Sequence, residues 1–228
     1  DAYPLMLQAW NSIRIYPPAS ERSMDLADLK GHVIRVFNHS RSFISGLPSG
    51  QTKPDPAGAR FALSGYSWRS QKFHVWKLNF NSNKNLYEFR KTNIRGGERR
   101  KLSEQITYLG DRDPVNKAKI EIQKILDSNS EFKNLNMEPF NVLRDIIRSG
   151  EFSSVGGPIQ IVKIYAHSNS VPLGVYWPNK ASGKVSILGR PLMQYETIPW
   201  GVLDPDNPDR ARPIFPNSEA HTSISEEL

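Results

Sequence analysis

The chain has 228 residues, 38% of them apolar, a net charge of +7 at neutral pH and no cysteine. That length gives one large domain or two small ones, with enough apolar surface for a core. The missing cysteines exclude disulfides, thiolate catalysis and thiolate-held zinc, and no apolar run approaches the ~20 residues of a membrane-spanning helix.

Charge is unevenly placed: Lys and Arg outnumber Asp and Glu 18 to 10 between residues 60 and 150, and are outnumbered 2 to 6 from residue 201 onward. A basic middle attracts nucleic acid, anionic nucleotides or an acidic partner protein through its long-range field, and the sum alone does not choose among them. The chain starts at Asp1 rather than Met, so it is expected either to follow a removed leader or upstream domain, or to be a cut segment.

From the amino terminus, Trp10, Ile13 and Ile15 run into "YPPAS", whose paired prolines predict an extended arm over residues 1–30. "MDLADLKG", Met24 to Gly31, predicts a short helix stopped by its glycine. "HVIRVF", His32 to Phe37, alternates as a strand with Val33, Arg35 and Phe37 on one face. The proline- and glycine-rich stretch from Ser45 to Gly58 predicts a long loop. "ARFALS" and "KFHVWKLNF" follow as two strands around a turn, with His74, Trp76, Leu78 and Phe80 facing the core.

Residues 81–112 are polar and predict a basic loop around Gly96 and Gly97. Helices are expected over about 113–127 and 137–149. The first has Asp113 as cap, Pro114 at the first helical position and Val115, Ala118, Ile122, Ile125 and Leu126 on one face. The second has Pro139 early, a Phe140, Leu143 and Ile147 stripe, and Gly150 at its end. Strands return in "PIQIVKIYA", "VPLGVYWP" and "KVSILGRPL", and the alternation of "MQYETIPW" suggests a last one. Strands, then helices, then strands argue for an α+β fold with mostly antiparallel sheets, formed as a single domain over residues 1–203. Residues 204–228 are expected to be a proline-rich acidic tail, extended or disordered.

Chemistry is sparse. The histidines at 32, 39, 74, 167 and 221 lie at no metal-binding spacing, so no metal is predicted. Neither a Gly-x-Ser-x-Gly elbow nor a phosphate-cradling glycine loop occurs. "IEIQK", Ile120 to Lys124, has the acid-then-lysine look of a nuclease strand, but the surrounding period is helical and makes Glu121 and Lys124 a surface pair. The stretch from Arg60 to Lys101 interleaves aromatic with basic residues, the combination that holds single strands. Within it Arg90, Lys91, Arg95, Arg99, Arg100 and Lys101 are the expected anion-facing surface of a nucleic-acid-binding module, which could include a nuclease.

"HVIRVF", "GARFALSGYSW", "FHVWKLN" and "VGGPIQI", taken together, resemble the NAD-glycohydrolase toxin domains of the tuberculosis necrotizing toxin type, within the ADP-ribosyltransferase-like fold. The resemblance implies a nicotinamide pocket with Arg60 as the strand arginine, Tyr66 or Trp68 as the stacking aromatic, and Gly156, Gly157 and Gln160 as the glycine-rich turn and its glutamine. A wider kinship with ADP-ribosyltransferases would instead use Arg35, Ser153 or Ser154, and Glu196. It further implies NAD as substrate, hydrolysed or used for ADP-ribose transfer, and a place at the toxic end of a larger secreted protein. A third reading of the residues is a β-rich interaction domain whose basic middle meets an acidic partner protein, such as an immunity-type protein. The chemistry suits these residues: an arginine fork pairs with a diphosphate, an aromatic stacks on nicotinamide, and glycines let the backbone approach the ligand.

Overall fold

Asp25 sits in extended conformation at the head of a 17-residue helix, where its carboxylate accepts the Ala27 amide at 2.9 Å. This helix, α3 (Leu26–Ser42), is preceded by α1 (Ala2–Ile15) and α2 (Pro17–Ser20). The computed structural model describes residues 2–43, 49–50, 52, 57–91, 105–128, 135–166, 169–199 and 201–208.

Two expectations for this region are corrected. The expected extended arm is helical over residues 2–15 and 17–20: Leu5, Ala9 and Ile13 recur at the spacing of one helix face and turn α1 onto the core. Pro17 and Pro18 occupy the first turn of α2, where their missing amides and fixed φ do no harm. The expected strand over His32–Phe37 is the middle of α3, because Leu26, Leu29, Val33 and Phe37 continue one helical stripe straight through Gly31.

After α3 come β1 (Phe61–Ser67), β2 (Lys72–Asn81) and β3 (Leu86–Lys91), an antiparallel meander in sequential order. Most of the Ser45–Gly58 loop lies outside the described residues. The β1–β2 hairpin matches the expectation, and β3 takes the beginning of the supposed basic loop. Odd-numbered residues of β1 and even-numbered residues of β2 face α1 and α3. Leu78 and Tyr87 are 1% exposed there, joining Val33, Phe37 and Leu5 in one core. Phe37, Phe61 and Tyr87 meet edge to face within it, at centroid distances of 4.9–5.8 Å.

The chain divides into two compact units, the first being residues 1–110 with 165–169, the second 111–164 with 170–228. The second unit contains α4 (Arg112–Ser128) and α5 (Glu138–Ser149), both close to their predicted bounds. Ile122 of α4 is 1% exposed. The stripe of α5 is rotated by one position: Phe140, Val142 and Ile146 are buried and Leu143 is 40% exposed. Gly150 closes α5 in the left-handed conformation, at φ 65°.

Then follow β4 (Ile161–Ile164), β5 (Ser170–Tyr176), β6 (Val185–Ile187), β7 (Arg190–Pro191) and β8 (Val202–Leu203). Pairing is antiparallel in the order β4-β5-β6-β7, while β8 runs parallel to β5. The last strand is therefore β8 and not "MQYETIPW", whose Met193–Glu196 forms a turn. Val175 and Leu203, 0% and 2% exposed, join Phe140 and Ile159 in a second core. Asp204–Pro208 fold back on α5, with Arg148 bonded to Asp206 at 2.6 Å and Arg144 to the Pro205 carbonyl at 2.6 Å. Residues 209–228 lie outside the described residues. Helices with antiparallel sheets make the chain α+β, and no described helix is long and apolar enough to cross a membrane.

Candidate functional site

Arg60, Tyr66, Trp68 and Arg35 belong to the first unit, and Gly156, Gly157, Gln160, Ser153, Ser154 and Glu196 to the second. Arg60 and Tyr66 stand at opposite ends of β1, about 20 Å apart by the rise of a strand. Arg60 is exposed and donates to the Gly110 carbonyl at 2.9 Å. Tyr66 lies on the solvent face of the sheet, edge to face with Phe73. Trp68 is 47% exposed just beyond the strand, and the Arg69 guanidinium lies 5.3 Å from its ring. Arg35 points outward from α3.

In the second unit Ser153, Ser154, Gly156, Gly157 and Gln160 are all exposed, the last of them just before β4. Gln160 lies against Gly189, whose φ of +86° is a backbone conformation that favours glycine; a Cβ there would fall 2.6 Å from the Gln160 Nε2 and push that amide aside. Glu196 is held by both arms of Arg190 at 2.6 Å and by the Met193 amide at 2.9 Å. That fork, with the amide, lowers its pKa to about 2. A carboxylate so engaged is an anion at physiological pH and serves as the anchor of the β7 turn.

Of the expected anion-facing residues, Arg90 is exposed on β3, Lys91 ends that strand, and Arg95, Arg99, Arg100 and Lys101 lie outside the described residues. The Glu121–Lys124 pair is an ion pair on the α4 surface at 3.0 Å, as its helical spacing suggests. Among the described residues, no three His, Asp or Glu side chains are grouped as a metal site needs.

The structure brings together groups that the sequence does not announce. Trp10, Ile13 and Arg14 of α1, Ala19 and Ser20 of α2, then Arg22, Met24 and Leu29, line a cleft of about 470 Å³ in the first unit. That volume lies in the range of small-molecule sites. Trp10 and Arg14 are one helical turn apart and so share a face. Arg22 adopts φ 57°, an uncommon left-handed backbone for a side chain of its size. One of its five guanidinium donors reaches Asn169 Oδ1 at 2.9 Å in the same unit. An indole, two guanidinium groups and a hydroxyl around one opening can stack a planar ring and bind an anion.

A second juxtaposition is chemically simpler. Ser70 Oγ lies 2.7 Å from His74 Nε2 across the β1–β2 turn, and the imidazole stacks on Trp76 at 5.1 Å. The only side-chain hydrogen bond of His74 among the described residues is this one, so no carboxylate orients the imidazole as in a nucleophilic triad. The missed cleft follows from the missed helix: once residues 2–15 are read as helical, the Trp10, Arg14 spacing is visible. No protein-family model, curated protein or solved structure matches this chain.

Proposed function

We propose that this chain binds NAD and consumes it, with the cleft of α1, α2 and α3 taking one nucleotide half of the molecule. The observation that carries the reading is the meeting of Trp10, Arg14 and Arg22 at one opening. An indole 61% exposed offers a face to nicotinamide or adenine, and guanidinium forks suit a diphosphate.

Consumption means breaking the bond between ribose C1′ and the nicotinamide nitrogen. Nicotinamide leaves with the bonding pair, and the ribose carbon develops oxocarbenium character. Water or an acceptor nucleophile then supplies the new bond and gives up a proton. Because nicotinamide is already a good leaving group, positioning and electrostatics provide most of the acceleration. The family resemblance assigns Gln160 and Arg60 to this step.

Fluorescence of an etheno-NAD analogue reads binding and cleavage in one experiment. The expected result is saturable binding that Trp10→Ala and Arg22→Gln each weaken by about tenfold, the loss of roughly one good contact. Cleavage should also vanish in Arg60→Ala and Gln160→Ala. No binding at millimolar analogue overturns the proposal. Binding without nicotinamide release removes consumption from it, and with it the roles of Arg60 and Gln160.

A further inference from the structure

Helix α1 is apolar on two sides, and the core of the first unit uses one of them, through Leu5, Ala9 and Ile13. On the other side Tyr3, Met6, Leu7 and Trp10 recur at intervals of three and four residues, which sets them on one stripe about 100° wide. They are 77%, 60%, 44% and 61% exposed. A contiguous apolar stripe of this kind marks a surface that something covers.

The size of the stripe fits a second protein chain. At about 200 Å² for a large side chain, these exposures leave about 500 Å² open on one chain and about 1,000 Å² on two, the size at which specific interfaces begin. The order of its residues fits a second copy of itself. Turn the helix end for end about a two-fold axis between Met6 and Leu7, and Tyr3 falls opposite Trp10 of the second copy while Met6 falls opposite its Leu7. Rings then meet rings at the two ends, and aliphatic chains meet at the centre.

Charge selects the same orientation. Arg14 is the one charged side chain of α1. An antiparallel pair holds the two Arg14 about 22 Å apart along the axis, well beyond a Debye length, and opposes the two helix dipoles. A parallel pair would set the arginines side by side. One cation also gives α1 little hold on an anionic lipid surface, whose amphipathic helices are rich in Lys and Arg.

We propose that this chain forms a two-fold dimer through antiparallel packing of α1 against α1 of a second copy, with Tyr3, Met6, Leu7 and Trp10 buried between them. The pairing does not depend on the nucleotide reading. Trp10 also lines the cleft, but Met6 and Leu7, which carry the test, do not.

Sedimentation velocity of the full chain without nucleotide is the test. The parent should be dimeric at about 100 µM and dissociate on dilution to about 1 µM, since an interface at the small end of the range binds weakly. Met6→Lys and Leu7→Lys each bring two cations together beside the two-fold axis and should raise the dissociation constant about tenfold or more. Both side chains are exposed, and circular dichroism melts establish that the variants are folded. A nitroxide on Ile15→Cys reports the orientation by electron paramagnetic resonance, at a position 79% exposed in a chain with no other cysteine. Antiparallel packing about the Met6–Leu7 axis separates the two labelled positions by about 25 Å along the helices. The proposal is overturned by a parent that is monomeric at about 100 µM, by dimers that neither lysine weakens, or by a label separation of about 10 Å, as parallel helices would give. Flotation of the parent with phosphatidylcholine vesicles, abolished by Met6→Lys, would make the stripe a lipid-facing surface and would overturn it as well.

Discussion

Asn38 on α3 exchanges two hydrogen bonds with the backbone of Tyr87 on β3: its Oδ1 accepts the Tyr87 amide at 2.7 Å and its Nδ2 donates to the Tyr87 carbonyl at 3.1 Å. A helix side chain thereby does for the outer strand what a neighbouring strand would do. It closes part of an edge that would otherwise offer a free amide and carbonyl to another chain.

Replacing Asn38 by Ala leaves both groups without a partner, at a cost of about 1–3 kcal/mol. Asn38→Asp keeps the acceptor but sets an oxygen against the Tyr87 carbonyl, so it should be no better. Urea denaturation measures the loss, and light scattering should show more self-association in Asn38→Ala. An unchanged midpoint would mean that water replaces the side chain at that edge.

Asp25 ties the start of α3 to the end of β1. Its carboxylate accepts the Ala27 amide, the Ser67 hydroxyl at 3.0 and 3.1 Å, and the Arg69 amide at 3.3 Å, with the residue 0% exposed. Burial pushes the carboxyl up, and the amides of Ala27 and Arg69, the Ser67 hydroxyl and the Arg69 charge more than offset that, leaving it below the usual carboxylate range. Asp25→Ala should destabilise by about 2–4 kcal/mol, a lost cap plus stranded donors. Because the folded pKa is the lower one, this contribution is complete above the ordinary carboxylate value near 4 and fades only as pH falls below it. A stability profile that instead declined between pH 5 and 7 would contradict the assignment.

Gly31 lies mid-helix in α3, and a Cβ added there meets nothing within 4 Å. Gly31→Ala should therefore stabilise the chain by about 0.5–1 kcal/mol, the difference in helix propensity. A raised melting temperature confirms a helix through this position. A lowered one would return Gly31 to the role of helix stop.

Arg190 sets the titration of Glu196. Carbon-detected NMR of the side-chain carboxyl should give a midpoint of about 2 in the parent, and one near the ordinary 4.3 in Arg190→Gln. The folded value is depressed, so the pair stabilises the turn above the unfolded pKa and is lost as pH falls toward the folded one. A parent midpoint at the ordinary value would show that the fork does not persist in solution.

Legibility in the sequence followed the punctuation. Pro114, Pro139 and Gly150 mark α4 and α5 at positions where only helix ends tolerate them, and the alternation of Trp76, Leu78 and Phe80 with polar residues marks β2. The same signals misled where two periods overlap. Val33, Arg35 and Phe37 alternate as in a strand, yet Val33 and Phe37 are also one helical turn apart, and only Leu26 and Leu29 before Gly31 decide between the two. Pro17 and Pro18 read as breakers because their helix is a single turn long. The Trp10, Arg14 and Arg22 cleft depends on those two misread segments, so no local motif reports it.

The parallel pairing of β5 with β8 also orders events in time. Gly174 and Val175 meet Val202 and Leu203, joining segments about 28 residues apart, so a loop must close before this contact contributes. The first unit's meander needs only neighbours joined by tight turns and can form as it is synthesised. The second core waits for Leu203, 28 residues after Val175. Until Leu203 arrives, Val175 has one of its walls missing, and that interval is when this chain is most exposed to capture by chaperones or by other copies of itself.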